Sequence, residues 1–233
     1  GFRQFYQTTQ YSFFPKKGPV NQHRIELENF LVLNPNHSFN EWSIDLGYDI
    51  AFKNTASIGF SLSRNNVQLP FHTSFTDGTP LPPAKYGFTQ AGLSASTDNR
   101  KPFSLAGEIT VGKYFSGNYT QLAASAIFRR QPWLTIEINA EYNRLRFPAP
   151  YGSDELFLVA PRVEINFSNK LFWTTFIQYN TQANNVNINS RFQWRYKPAS
   201  DLFIVYTDNY YSDPFLKNKS RALVLKFQYW LNL

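Results

Sequence analysis

The sequence predicts an all-β protein, an antiparallel up-and-down transmembrane β-barrel, and three observations carry that prediction. Strict period-two alternation recurs along the chain. It is cleanest from Phe39 to Lys53, where Trp42, Ile44, Leu46, Tyr48, Ile50 and Phe52 alternate with Glu41, Ser43, Asp45, Gly47, Asp49 and Ala51. No helical period fits such a segment. The last segment, Arg221 to Leu233, places Leu223, Leu225, Phe227, Tyr229, Leu231 and Leu233 on one side, an apolar row suited to a strand that faces lipid. The third observation is compositional. Aromatic residues make up 18% of the 233 residues, yet the mean hydropathy is -0.40. Those values conflict for a globular core and agree for a barrel with an apolar outside and a polar lumen.

Composition also narrows the setting. No run approaches the ~18 to 20 apolar residues of a spanning helix, so a membrane would be crossed by strands, whose backbone groups pair with each other in a closed sheet. Cysteine is absent, which excludes disulfides and thiolate metal sites. Methionine is absent as well, so Gly1 is not expected to be the translated start, and a leader is expected to have been removed. The predicted location is the outer membrane of a diderm bacterium. The net charge of +7 suits anionic lipid surfaces; without basic runs interleaved with aromatic platforms, no nucleic-acid partner is expected.

Taken in order, the alternating segments bounded by turn residues are Phe2 to Phe14, His23 to Leu33, Phe39 to Lys53, Ser57 to Asn66, Tyr86 to Thr97, Phe103 to Phe115 and Tyr119 to Arg129. They continue with Leu134 to Arg146, Phe157 to Phe167, Leu171 to Asn180, Val186 to Tyr196, Leu202 to Tyr210 and Arg221 to Leu233. The connections sort by length. Lys197 to Asp201, Ser168 to Lys170, Arg130 to Trp133, Asp98 to Pro102 and Asn54 to Ala56 are short and belong to the side of the carboxy terminus. The other side holds Asn34 to Ser38, the long Val67 to Lys85, Ser116 to Asn118, Phe147 to Glu155, Thr181 to Asn185 and Tyr211 to Ser220. Short turns inside and longer loops outside are the outer-membrane arrangement. A single domain spanning residues 1 to 233 is expected. Thirteen strands is an odd count. About fourteen would be expected of a barrel that closes by itself, and the alternative is part of a larger barrel with strands before Gly1.

Tryptophans support the same reading. Trp42 falls at the outer end of its strand, and Trp173 and Trp194 fall at the inner ends of theirs; with Trp133 and Trp230 they read as lipid-face girdles at headgroup level. The opposite faces carry the charges: Glu26 and Glu28 beside Arg24, then Asp45 and Asp49, then Glu137 and Glu141, then Arg162, then Arg191 and Arg195. Acid gathers on an early arc and base on a late one. One reading is a transverse field that orients a polar solute. The other is a filled interior in which Glu26, Glu28, Asp45, Asp49 and Glu137 find Arg162, Arg191, Arg195 or other cations across the lumen, because an unpaired ion in a narrow interior is costly. Within Val67 to Lys85, the prolines together with Phe71, Phe75 and Leu81 suggest an ordered outer lid or a disordered loop. Arg144 and Arg146, in phase with Leu134, Ile136 and Ile138, are placed at the outer lipid edge. His23, His37 and His72 lack metal spacing, no nucleophile motif surrounds any serine, and neither a metal, a cofactor nor an enzymatic activity is expected.

Four stretches carry a resemblance. They are Pro102-Phe103-Ser104 through Gly112-Lys113-Tyr114-Phe115-Ser116-Gly117, then Phe176 to Asn180, Asn189 to Tyr196, and Asp201 to Tyr206. With these the chain resembles the carboxy-terminal barrel of an uncharacterised outer-membrane family of Bacteroidota, whose members carry an amino-terminal module similar to family-nine carbohydrate-binding domains. The resemblance implies further strands upstream of Gly1. The carbohydrate-binding-like module lies outside this sequence, and Leu233 stands where a terminal aromatic is commoner. Two functional classes follow. The first is an anchor or subunit of a larger cell-surface complex, with outer-membrane lipid and other outer-membrane proteins as partners. The second is a channel or binding barrel for a small polar solute such as a glycan.

Overall fold

The computed structural model of the chain describes residues 1–231. Thirteen strands form: β1 (Arg3–Phe13), β2 (Val20–Leu33), β3 (Phe39–Phe52), β4 (Ser57–Gln68), β5 (Lys85–Ser96), β6 (Phe103–Tyr114), β7 (Gly117–Arg130), β8 (Leu134–Arg146), β9 (Ser153–Asn166), β10 (Leu171–Asn180), β11 (Asn185–Lys197), β12 (Ser200–Tyr210) and β13 (Asn218–Gln228). Among the described residues there is no helix. All thirteen strands belong to one sheet whose spatial order is the sequence order, β1 through β13. This is an up-and-down antiparallel meander of the barrel-like all-β class. Each expected strand is present, with its ends moved by a few residues. Both ends of the last strand are informative: β13 starts at Asn218, where polar residues break the apolar alternation, because Ser220 and Asn218 find ladder partners in Asn209 and Tyr210. Its last ladder pair is Gln228 with Asp201, beyond which Trp230 N–H donates to the Ser200 hydroxyl and not to a backbone carbonyl. Tyr229, Trp230 and Leu231 therefore lie past the strand, and Leu233 lies outside the described residues.

The chain divides into two compact units, the first comprising Gly1–Arg100, Ala106–Ala123 and Tyr142–Glu155, the second comprising Lys101–Leu105, Ala124–Glu141 and the residues from Leu156 onward. In the first unit, residue-for-residue pairing assembles transverse rows. Leu27, Leu46, Leu62, Ala91 and Val111 form one row across five strands, and Ile25, Tyr48, Phe60, Leu93 and Ile109 form the next on the same face. The opposite face repeats Glu28, Asp45, Ser63, Gln90 and then Arg24, Asp49, Gly59, Ser94, Glu108. The second unit segregates likewise. Ile165, Trp173, Phe192, Ile204 and Leu225 share one face, while Glu164, Thr174 and Arg191 share the other. Because side chains alternate with period two, each register fixes a whole face at once.

Little of the apolar surface is buried between strands, and the best-buried apolar side chains of the first unit, Leu69, Leu81 and Phe88, cluster at the segment joining β4 to β5. That segment is ordered. Leu69 N–H donates to Ala84 O, and Thr73 and Leu81 exchange two backbone hydrogen bonds. The Phe75 ring lies 4.7 Å from Phe115, 5.5 Å from Tyr114 and 6.1 Å from Phe147. Tyr114 and Phe88 contribute from the charged face of β6 and β5 and contact the same Phe115. The tip reaches the loop after β8, where the Thr76 hydroxyl donates to Tyr151 O. Gly78 is required there, since a Cβ would come within 2.5 Å of the Tyr151 backbone. Of the expected lid residues, Phe75 and Leu81 are packed as anchors, whereas Phe71 is 67% exposed and anchors nothing. Phe71 lies between two paired points of the segment, Leu69 with Ala84 and Thr73 with Leu81.

Removing the Phe75 ring takes away three aromatic contacts, each worth about 0.5 to 1.5 kcal/mol. F75A is therefore expected to raise the open population of residues 69–84 by about tenfold or more, read as faster cleavage within that segment in limited proteolysis while the strands stay protected.

Candidate functional site

The charged faces are where polar chemistry gathers, and their ion pairs are local. On the first unit, Arg24 Nη2 sits 2.8 Å from Asp49 Oδ2 and its Nε lies 3.7 Å from Glu26 Oε2. Glu28 accepts a hydrogen bond from the Tyr6 hydroxyl at 2.9 Å, and Asp45 accepts one from Ser43 at 3.2 Å. On the second unit, Arg162 pairs with Glu164 two residues along the same strand. Arg195 Nε lies 3.3 Å from Asp201 Oδ1, which also accepts from Gln193 Nε2, and its guanidinium stands over the Phe172 ring at 5.8 Å. The partners expected for these acids on a distant arc are instead neighbours on the same or the adjoining strand. Ladder partners and residues at i and i+2 stand about 5 to 7 Å apart, within reach of an arginine, and they satisfy the charge first. Glu141 keeps a partner of its own.

Within the second unit, three of the expected charges converge. Glu137, Asn139, Ala160, Arg162, Thr174, Phe176, Asn189 and Arg191 line one cleft of about 340 Å³. Strand pairing explains the set. Phe176 of β10 is registered with Arg162 of β9 on one side and with Asn189 of β11 on the other; Thr174 is registered with Glu164 and with Arg191. Ala160 and Thr174 are short among these long side chains, so a hollow opens between them. Its walls differ in how they are satisfied. The Arg162 guanidinium is held by Glu164 and Glu137 accepts from Asn139 Nδ2 at 2.8 Å, whereas Arg191 makes no hydrogen bond or ion pair among the described residues. The cleft therefore presents an uncommitted fork of N–H donors, two amides, a hydroxyl, a carboxylate and an aromatic ring.

The apolar faces carry the expected tryptophans. Trp42 shares the face of Ile44 and Leu46 and donates from Nε1 to Asn29 Oδ1 at 2.9 Å. Trp173 and Trp194 share a face with Phe192 and Leu202, and the Trp173 indole N–H reaches Ser190 Oγ at 2.8 Å. His23 lies within β2, stacked on Tyr48 with its Nδ1 2.8 Å from the Tyr48 hydroxyl, and His37 meets Arg3 in the loop. Among the described residues no three His, Asp or Glu side chains converge as metal ligands would.

One feature escaped the sequence reading. Asp208 sits on the apolar face of β12, in phase with Ile204 and Tyr206, and its side chain is 1% exposed. Its carboxylate is saturated. Oδ2 accepts from the Tyr206 hydroxyl at 2.6 Å, the Tyr210 hydroxyl at 2.5 Å and Arg221 Nε at 2.8 Å, while Oδ1 accepts from Asn218 Nδ2 at 2.9 Å. The signal was available only through register: Asp208 and Arg221 are ladder partners. A carboxylate on such a face persists only when paired and fully hydrogen-bonded. Compared with known proteins, the chain matches no family model, no curated protein and no solved structure.

The Asp208 group behaves as a unit if its members depend on each other. D208N and R221Q should each lower the thermal midpoint more than Y206F does, and the D208N/R221Q double variant should lose clearly less than the sum of the two. Strict additivity in that cycle would show the residues to be independent.

Proposed function

We propose that this chain is the membrane-spanning β-barrel domain of an outer-membrane protein, serving as an anchor or as a subunit of a larger cell-surface complex. The observation that carries the reading is the face segregation. One side of the sheet presents row after row of apolar side chains, with Leu46 46% and Phe60 50% exposed, while the acidic rows of Glu28 and Asp45 and of Asp49 and Glu108 lie on the other. A soluble sandwich would cover the apolar side with a second sheet, but all thirteen strands belong to one. Contiguous apolar surface of this extent is avoided on soluble monomers and is what a lipid-facing band requires.

The ends of the strands fit that setting. On the apolar face of the first unit, Arg64 and Thr89 are registered just beyond the Leu62–Ala91 row, and Arg64 Nη1 donates to the Thr89 hydroxyl. Lys113 Nζ contacts Asn118 Oδ1 at 2.8 Å and Arg144 Nε lies 2.8 Å from Glu155. Cations at this level suit the phosphates of an anionic outer leaflet. The locally satisfied charges of the other face favour an anchor over an open pore, since few ions there wait for a partner. A Bacteroidota origin is part of this proposal and rests on the resemblance carried by the four stretches between Pro102 and Tyr206.

L46R should cost about 2 to 4 kcal/mol in a lipid-facing position and sharply reduce the heat-modifiable, urea-resistant membrane fraction, whereas S63R on the opposite face should be tolerated. A chain that is monomeric and water-soluble without detergent, or an L46R variant that inserts like the parent, would refute the membrane assignment.

A further inference from the structure

We infer that the cleft between β8 and β11 is a binding site for a small hydroxylated carboxylate, of the sugar-acid or hydroxy-acid class. The inference builds on reading the charged face as a barrel interior, where such a solute would meet it, and it names the ligand chemistry that the cleft itself selects. The volume of about 340 Å³ lies near the lower bound of small-molecule pockets, which run from roughly 300 to 1,000 Å³. A ligand of one short chain or one ring is the fitting size.

Each part of the ligand is matched by a residue. Arg191 presents a planar fork that suits a carboxylate bidentately, and among the described residues nothing in the protein occupies it. Forming that contact breaks no internal ion pair. Arg162 adds positive potential from the far side of β10 while Glu164 holds its geometry. A bare anion would need no more than this, but the remaining lining is not that of a bare-anion site. Asn189, Asn139 and the Thr174 hydroxyl line the cleft as well; each amide nitrogen donates once within the protein, Asn189 to Thr207 Oγ1 and Asn139 to Glu137, and the amide oxygens, the second N–H groups and the hydroxyl match ligand hydroxyl groups, each both donor and acceptor. Phe176, registered between Arg162 and Asn189, offers an apolar surface for the C–H side of the carbon chain. Glu137 stands three strand spacings from Arg191, roughly 14 Å across the sheet. A carboxylate ligand is thereby oriented with its charge at β11 and its hydroxyl end toward β8, because the reverse placement would set two carboxylates together.

Three six-carbon probes separate these contributions: gluconate, sorbitol, which replaces the carboxylate by a carbinol, and hexanoate, which keeps the carboxylate and lacks the hydroxyls. Calorimetric titration of the folded full chain in detergent should show gluconate binding at least about tenfold more tightly than either of the others. R191Q should weaken gluconate by about tenfold or more, the scale expected for a charge-assisted hydrogen-bond pair. R191K, which keeps the charge but loses the fork, should fall between the two. N189A should weaken gluconate severalfold and leave hexanoate unchanged. Equal affinity for sorbitol would overturn the carboxylate assignment, equal affinity for hexanoate would overturn the hydroxyl assignment, and absence of gluconate binding to the folded parent would overturn both. Because Arg191 holds no other residue in place, R191Q should retain the parent's heat-modifiable band, and N189A gives an independent variant should it not. The membrane assignment is judged separately, by the urea-resistant fraction of L46R. A chain that proves water-soluble would sink that assignment while the titration still decides the cleft.

Discussion

Residue-for-residue pairing between consecutive strands is the constraint on which the rest of this structure depends. Side chains along a pleated strand alternate between faces, so a ladder that slipped by one residue would carry Leu46 to the charged side and Asp45 to the apolar side together. Through the middle of the strands the register holds across β2 to β6 in the first unit and across β9 to β13 in the second, and it shifts only near strand ends, at Val20/Gln22, Val32/Leu33, Arg195/Lys197 and Asn209/Tyr210. Everything functional is downstream of it. The apolar rows exist because leucines of successive strands, Leu27, Leu46 and Leu62, fall on one line, and the cleft exists because Arg162, Phe176 and Asn189 fall on another.

That dependence also explains how polar groups are tolerated where they do not belong. Asp208 occupies the face of β12 that carries Ile204, and the same ladder that places it there brings Arg221 opposite, with two tyrosines alongside on the strand. A buried ion pair adds little net stability when it replaces a well-packed apolar pair, but breaking one partner is expensive. The arrangement therefore specifies the pairing of β12 with β13 more than it strengthens it. A one-residue slip would set the carboxylate opposite Ala222 or Ser220 in place of Arg221.

Much of this was legible in the amino-acid order. Thirteen alternating segments announced thirteen strands, and the phase of Trp42 to Phe52 announced which face each side chain would take, since both depend only on local period. What stayed hidden depends on neighbours in the sheet. The beginning of β13 at Asn218 is decided by partners on β12, against its own polar composition. Distant partners for the acids were expected because acid and base are separated in sequence, yet Arg24 lies between Glu26 and Asp49 once β2 and β3 pair. Glu137, Arg162 and Arg191 were each recognisable as charges on one face, but the short Ala160 and Thr174 that make the hollow between them carry no signal until the strands are laid side by side. Phe75 and Phe71 looked equivalent in sequence. Only the aromatic ends of β6 and the loop after β8 distinguish them.

The ordered segment between β4 and β5 has a kinetic side. Every ladder in the meander joins sequence neighbours, so each hairpin except that of β4 with β5 closes a short loop and the entropy of closure stays small. The contact of Thr76 with Tyr151 is of another kind, spanning 75 residues, and Phe75 reaches Phe147 across a similar distance. These contacts have no partner until β8 has been added. Strand addition can thus run ahead while this segment waits, and its docking becomes a timer within the first unit. The Phe75 cluster, begun on Tyr114 and Phe115 of the β6 end, is completed by Phe147 and Tyr151 only on a sheet that has already grown as far as the loop after β8.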